Sequence, residues 1–332
     1  MTADPVTTRQ PTAAAEVPPT VRASLSPSRA ADFKTCPLLY RFRSIDRLPE
    51  RPTVEQARGT LVHAVLERLF DLPAGGRTPA AAADLVAPQW DRLVTEQPEL
   101  AELFGADADP AAVGEFLRSA AALLEGYFAV EDPRRLEPAE RESLISTVVH
   151  DQLLIRGYID RLDVSPTGEL RVVDYKTGGA PREAFEARAL FQLKFYALVL
   201  WRTRGVVPRV LRLLYLKDAE VCDYTPDAEE LVRFERIVLA IWQAIEAATR
   251  ARDFRATPSR LCDWCSYQAY CPAFGGTPPP FPEIVPSPVP TRREEVAVSP
   301  VADPGPAPAA ATPRDVSRAA PVDVTGDEPA SS

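Results

Sequence analysis

No stretch of the chain approaches the roughly 18 consecutive apolar residues that a membrane-spanning helix needs, and it does not open on a basic segment followed by an apolar run. A helical membrane span is excluded and a cytoplasmic location is expected. A Walker A phosphate loop, G-x-x-x-x-G-K-[ST], is also absent, so the chain is not itself a nucleotide-driven motor. Positive charge is not in excess: 38 basic against 47 acidic residues give a net charge of -9, which argues mildly against indiscriminate binding to nucleic acid. Histidine is scarce, with two residues, and no internal repeat is present. The five cysteines do not suggest a disulfide framework in a reducing compartment, which leaves metal binding or plain burial to account for them.

Proline, by contrast, is abundant, at 35 of 332 residues, and unevenly placed. Residues 276–332 hold 14 of them with few aromatics, and residues 1–22 share the Pro, Ala and Thr bias, so both ends are expected to be disordered tails. The folded part is expected over 23–275 as one domain, which 45% hydrophobic and 26% charged residues can support. Eight acids and four arginines in the 276–332 tail carry -4 of the net charge, leaving -5. A carboxylate site neutralised by cations concentrates acids, so overall charge guides little.

Residues 54–71 carry apolar groups at Val54, Ala57, Leu61, Val65 and Leu69, the spacing of a helix, stopped by Pro73 and Gly75-Gly76. Residues 80–128 read as two or three further helices separated near Pro98 and Pro110, a helical insertion or wall. Residues 143–149, 153–164 and 169–176 are rich in β-branched residues and read as a meander turning at Pro166-Thr167-Gly168. A helix over 183–203, strands at 209–216 and 220–225 and a long helix over 226–252 follow. This order suggests an α/β domain with a mixed sheet and helices on its faces.

Asp174 and Lys176 are two apart in a strand and share a face, and the hairpin can bring Asp160 alongside Asp174. Two adjacent carboxylates repel, and a hard cation such as Mg²⁺ is the usual reason to keep both ionised. A lysine beside that cation can hold a water or stabilise charge on a phosphoryl group under attack. Taken alone, such groups at a strand end are most often a solvated salt bridge, and Arg161 and Asp163 are given that reading. His63 lies one helical turn from Glu67, and Gln192 lies four residues from Tyr196; either pair alone is more often packing or surface.

Cys262-Asp263-Trp264-Cys265, five residues and then Cys271 form a C-x2-C-x5-C cluster, to which Cys36 adds a distant fourth thiolate. Four thiolates suit zinc or an iron-sulfur cluster equally. Cys222, in a strand-like segment, reads as an ordinary core cysteine.

In order, Gly59-Thr60-Leu61-Val62-His63-Ala64-Val65-Leu66-Glu67, Gly157-Tyr158-Ile159-Asp160-Arg161, Asp174-Tyr175-Lys176-Thr177 and Gln192-x-x-x-Tyr196 resemble the motifs of the RecB-type branch of the PD-(D/E)XK nuclease superfamily. The resemblance implies a restriction-endonuclease-like α/β core, a mixed central sheet flanked by helices, with a helical insertion. It implies that His63, Asp160 and Asp174 bind a catalytic Mg²⁺ or Mn²⁺ with help from the Tyr175 carbonyl, that Lys176 is the catalytic lysine, and that Gln192 and Tyr196 shape the site and contact DNA. An acid ahead of the glycine-containing strand is also implied, and Glu142 suits it better than Glu140. Ser26-Pro27-Ser28-Arg29 through Cys36-Pro37, with the C-terminal cysteines, resembles the iron-sulfur staple of the AddB-like and CRISPR-adaptation nucleases, which implies a 4Fe-4S cluster on Cys36, Cys262, Cys265 and Cys271. The activity so implied is metal-dependent exonuclease cleavage of single-stranded DNA or DNA ends in repair or recombination, alone or beside a helicase or recombination partner. The alternatives are a catalytically silent DNA-binding or scaffold subunit and a zinc-stapled structural protein.

Overall fold

The computed structural model describes residues 23–105, 110–150, 153–180 and 186–282. The expected tail at 1–22, residues 283–332 of the expected C-terminal tail, and residues 183–185 of the expected helix lie outside the described residues. In chain order the elements are β1 (Ala23–Leu25), α1 (Pro27–Thr35), α2 (Pro37–Tyr40), α3 (Val54–Leu69), α4 (Pro79–Glu96), α5 (Pro110–Val130), β2 (Glu140–Val149), β3 (Leu153–Val164), β4 (Leu170–Lys176), α6 (Glu186–Arg204), β5 (Val210–Tyr215), β6 (Glu220–Tyr224) and α7 (Ala228–Ala251). The meander and the elements after it stand where the hydrophobic periods put them. β1, α1 and α2 were not anticipated, being too short to show a period.

Helix starts are set by side chains that satisfy otherwise unpaired backbone N–H groups. Thr53 and Gln56 form a reciprocal capping box at the start of α3, Ser26 caps α1 ahead of Pro27, and Asp227 caps α7. The sheet order is β1-β3-β4-β5-β6, with β2 also paired to β3. β4 and β5 run parallel and the β2–β3, β3–β4 and β5–β6 pairs antiparallel, a mixed sheet as expected. β4 and β5 are buried on both faces, in the manner of parallel strands under helices. Leu170, Val172, Leu211 and Leu213 join one core with residues of α1, α6 and α7, while Val173, Tyr175, Leu214 and Leu216 join a second with α3, α4 and α5. The insertion is therefore the helical layer on one face of the sheet. α5 approaches the end of β5 at Gly126, where a Cβ would stand 1.9 Å from the Leu216 carbonyl oxygen, so only glycine fits.

β3 is the strand that organises the sheet. β2 follows one of its edges from Val149 to Glu140, whereas its other edge pairs with β1 only at 153–155 and with β4 only at 161–164. Between those contacts β3 and β4 part, and the opening so made holds the site. The parting is anchored by Arg161, which is fully buried, contrary to the solvated salt bridge expected of it. Its guanidinium donates to both carboxylate oxygens of Glu131 beyond the end of α5 (2.6 and 2.9 Å) and to the Tyr175 hydroxyl (3.0 Å), with Asp163 3.1 Å away. The strand's own burial forces this: residue 161 faces the α3–α5 layer, where no water reaches the charge.

The C-terminal return closes on the N-terminal segment. Leu38 N–H donates to the Arg255 carbonyl (3.3 Å), the Tyr267 hydroxyl donates to the Leu48 carbonyl (3.3 Å), and Phe254 stacks between Tyr40 and Phe281. Residues 276–282, assigned to the tail by composition, therefore include packed positions: Arg41 donates to the Pro279 carbonyl and stands over the Phe281 ring. Removing one partner of a buried bidentate pair strands the other charge. Glu131→Ala is expected to lower the free energy of unfolding by about 3–5 kcal/mol in urea titration; a loss below about 1 kcal/mol, the range of an exposed pair, would show that the pair is not structural.

Candidate active site

Where β3 and β4 part, the backbone N–H of Tyr175 has no strand partner, and the Asp160 carboxylate accepts its hydrogen bond instead (2.8 Å). This fixes Asp160 against β4, beside Asp174. Asp174 is buried, and its Oδ2 lies 2.6 Å from Lys176 Nζ in an ion pair yet receives no hydrogen bond. Lys176 donates onward to the Gln192 side-chain carbonyl (3.0 Å), and the Gln192 amide donates to the Tyr196 hydroxyl (2.8 Å). The strand pair and the helix pair read from the sequence are therefore one continuous chain, running from Asp174 through Lys176 and Gln192 to Tyr196.

Gly157 explains how that chain is seated. A Cβ there would stand 2.6 Å from Cε1 of Tyr196, so the missing side chain is the space the tyrosine ring occupies. Gly59 plays a smaller part on α3, where a Cβ would stand a tight 3.3 Å from the Thr177 hydroxyl oxygen just past Lys176.

α3 brings His63 to the same opening. Its Nε2 donates to the Tyr175 carbonyl (3.0 Å), while Nδ1 faces Glu142 Oε1 at 3.5 Å and Asp160 Oδ2 at 3.6 Å. Two groups expected to hold a metal, His63 and the Tyr175 carbonyl, are thus bonded to each other here. Glu142 is placed by strain. The register pairs Arg141 with Arg161 and Ser143 with Ile159, so Glu142 falls opposite Asp160, and its backbone turns to a φ of 42°. A non-glycine residue in that region costs on the order of 1–3 kcal/mol, and such strain gathers at functional sites. Glu140 is engaged elsewhere, by Arg204 and by the Ser143 hydroxyl. Of the two acids, Glu142 is the one that falls opposite Asp160 and near His63.

The electrostatics record the crowding. Burial lifts the Asp160 carboxyl well above its usual range, and the negative charges of Asp174 and Glu142 lift it further, against the pull of His63. Burial alone would depress the His63 imidazole, but Asp160, Glu142 and Asp174 together raise it to about 9. The Tyr196 hydroxyl is held from ionising first by burial and then by the same acids. His63, Glu142 and Asp160 present ligand atoms within 4.8 Å of one another, and Asp174 adds a buried carboxylate paired with Lys176. This donor set, one imidazole and hard carboxylate oxygens, fits a divalent cation.

The cysteines form a second cluster. Cys36 stands between α1 and α2, and Cys262, Cys265 and Cys271 lie on the short turns after α7; all four line a cavity of about 50 Å³. Backbone N–H groups of Thr257 and Ser259 donate to the sulfurs of Cys36 (3.4 Å) and Cys262 (3.3 Å). Burial, with the three neighbouring cysteines behind it, raises the Cys265 thiol. Cys222 is half-buried against the core of the α1, α6 and α7 side.

Two carboxylates and a lysine stand where the strands of a mixed sheet part, with a histidine and a third acid close enough to share one cation. The chain belongs to the PD-(D/E)XK nuclease superfamily, whose profile matches residues 24–272. It is similar to the Gene 69 protein of Mycobacterium phage D29, 27% identical over 268 residues that cover 75% of this chain and 96% of the phage protein. The Gene 69 protein of Mycobacterium phage L5 is 32% identical over 127 residues, 37% of this chain and 41% of that protein. Among solved structures, a candidate exonuclease from Eubacterium rectale is similar with a TM-score of 0.47 and 10% identity, over 74% of this chain and 87% of that one.

The sequence motifs omitted Glu131 and the burial of Arg161, which hold the site's floor. An acid just past a long helix carries no local signal of such a bond.

Proposed function

We propose that this chain is a RecB-type, metal-dependent deoxyribonuclease that degrades DNA as an exonuclease, on single strands or ends, in repair or recombination. The observation that carries the proposal is the unbroken set from Asp160 and Asp174 through Lys176 to Gln192 and Tyr196 at the parting of β3 and β4. Glu142, Asp160, Asp174 and His63 would hold Mg²⁺ or Mn²⁺, with the Tyr175 carbonyl beside them. Bound there, the ion supplies an acidified water and a counter-charge for the phosphoryl oxygens. Lys176 then does what a side chain can: its ammonium, aimed by Gln192, orients the attacking water or meets the charge that develops on the phosphate. Tyr196 fixes Gln192, and Gly157 gives Tyr196 its seat.

The four cysteines are proposed to hold a 4Fe-4S cluster that joins the two ends of the fold. Four thiolates around one small cavity suit zinc or an iron-sulfur cluster equally, and what favours the cluster is the resemblance of these cysteines, with Ser26-Pro27-Ser28-Arg29, to the staple of the AddB-like nucleases. Closing more than two hundred residues of chain makes the role structural.

Anaerobically purified protein is expected to degrade end-labelled DNA with Mg²⁺ or Mn²⁺ and not with EDTA, while Asp174→Ala and Lys176→Ala lose cleavage and keep the fold. Native-rate cutting by Lys176→Ala would remove the lysine from the mechanism, and DNA binding without cutting by the native protein would favour a silent scaffold subunit. Iron and sulfide should be found in the native protein and lost with stability in Cys265→Ser; stoichiometric zinc without iron would overturn the cluster.

A further inference from the structure

Two exposed apolar side chains sit beside the acids of the site. Tyr158 of β3 is 58% exposed and Leu144 of β2 40%, and the register sets them directly opposite each other. From Leu153 to Asp160 burial alternates along β3, so Tyr158 shares a side with Asp160 and with Arg156, away from the buried Ile155, Gly157 and Ile159. Along a strand, two residues span about 6.6 Å. The apolar pair thus begins one step from Glu142 and Asp160, and one step further on Ser146 faces Arg156. Tyr158 also lines, with His63 and Glu142, a groove of about 800 Å³ that runs between α3 and the end of α4.

A strand of DNA laid along this face meets, in order, acids able to hold a phosphate through a metal, an aromatic ring floored by a leucine, and a guanidinium. A base can stack on such a ring only when its own face is free, and inside an intact duplex every face is covered by the neighbouring pair. We propose that Tyr158, floored by Leu144, stacks on an unpaired base next to the scissile phosphate, with Arg156 against the following phosphate, so that the site takes single-stranded or frayed DNA rather than intact duplex. This rests on the nuclease function proposed above. The hydroxyl is not needed for stacking, and an exposed ring can be removed without unfolding the sheet.

The test is equilibrium binding of a fluorescent oligothymidylate and of a blunt hairpin duplex to the full chain. Ca²⁺ replaces Mg²⁺, and the oligonucleotides are checked for integrity afterwards. Tyr158→Ala is expected to weaken binding of the single strand about 5- to 150-fold with the hairpin changed less than about twofold, the range of noise around no contact, while Tyr158→Phe binds as the native protein does. Unchanged single-strand binding by Tyr158→Ala, an equal loss for both substrates, or no single-strand binding by the native protein would overturn the platform. Cleavage with Mg²⁺ reports separately on the nuclease: selective binding without any cutting would keep the platform and remove the activity.

Discussion

Three carboxylates gathered at one opening repel each other, and that repulsion is the constraint on which the rest of the site depends. Asp160 and Asp174 stand side by side where β3 and β4 part, and Glu142 is turned toward them at a strained φ of 42°. Burial and then the charge of Asp174 push the Asp160 carboxyl up, while the negative charges of Asp160, Glu142 and Asp174 overcome burial and raise the His63 imidazole to about 9. The protein's own cations, His63 and Lys176, answer part of the charge. A divalent ion among these carboxylates would satisfy the remainder.

The fold exists to hold that unfavourable arrangement still. β4 is buried on both faces, the Arg161 and Glu131 pair ties β3 to the end of α5, and the Tyr175 N–H donates to Asp160 across the gap. On the other side of the sheet, Tyr196 fills the space above Gly157 and passes its order to Lys176 through Gln192. Asp160 and Lys176 are therefore each held by a neutral partner, the Tyr175 N–H and the Gln192 side-chain carbonyl, which is what a preorganised site needs.

Much of this was legible in the sequence, for a definite reason. Asp174 and Lys176 share a face because a strand has period two, and Gln192 and Tyr196 meet because a helix brings every fourth residue together; both rules are local. The meander and the mixed sheet followed from hydrophobic periods of the same kind. What was hidden depends on partners far away in the chain. Arg161 looked like a surface charge because nothing near it in sequence shows the helix end that carries Glu131. The sequence favours Glu142 over Glu140, but its turn toward Asp160 at a positive φ carries no sequence signal. Phe281 lies in a stretch whose prolines suggest a tail, yet one aromatic ring packed on Phe254 extends the folded part past 275.

The central claim, that the repelling acids form a divalent-cation site, is tested most directly by thermal unfolding with increasing Mg²⁺ or Mn²⁺, native protein against Asp160→Asn. A ligand that binds only the folded state stabilises it by RT ln(1 + [L]/Kd), about 2.7 kcal/mol at a hundredfold excess over Kd. The native Tm is expected to climb steadily with metal, while Asp160→Asn, relieved of repulsion, starts at or above the native value and does not climb. A native Tm that ignores metal, or a variant that climbs equally, would contradict it.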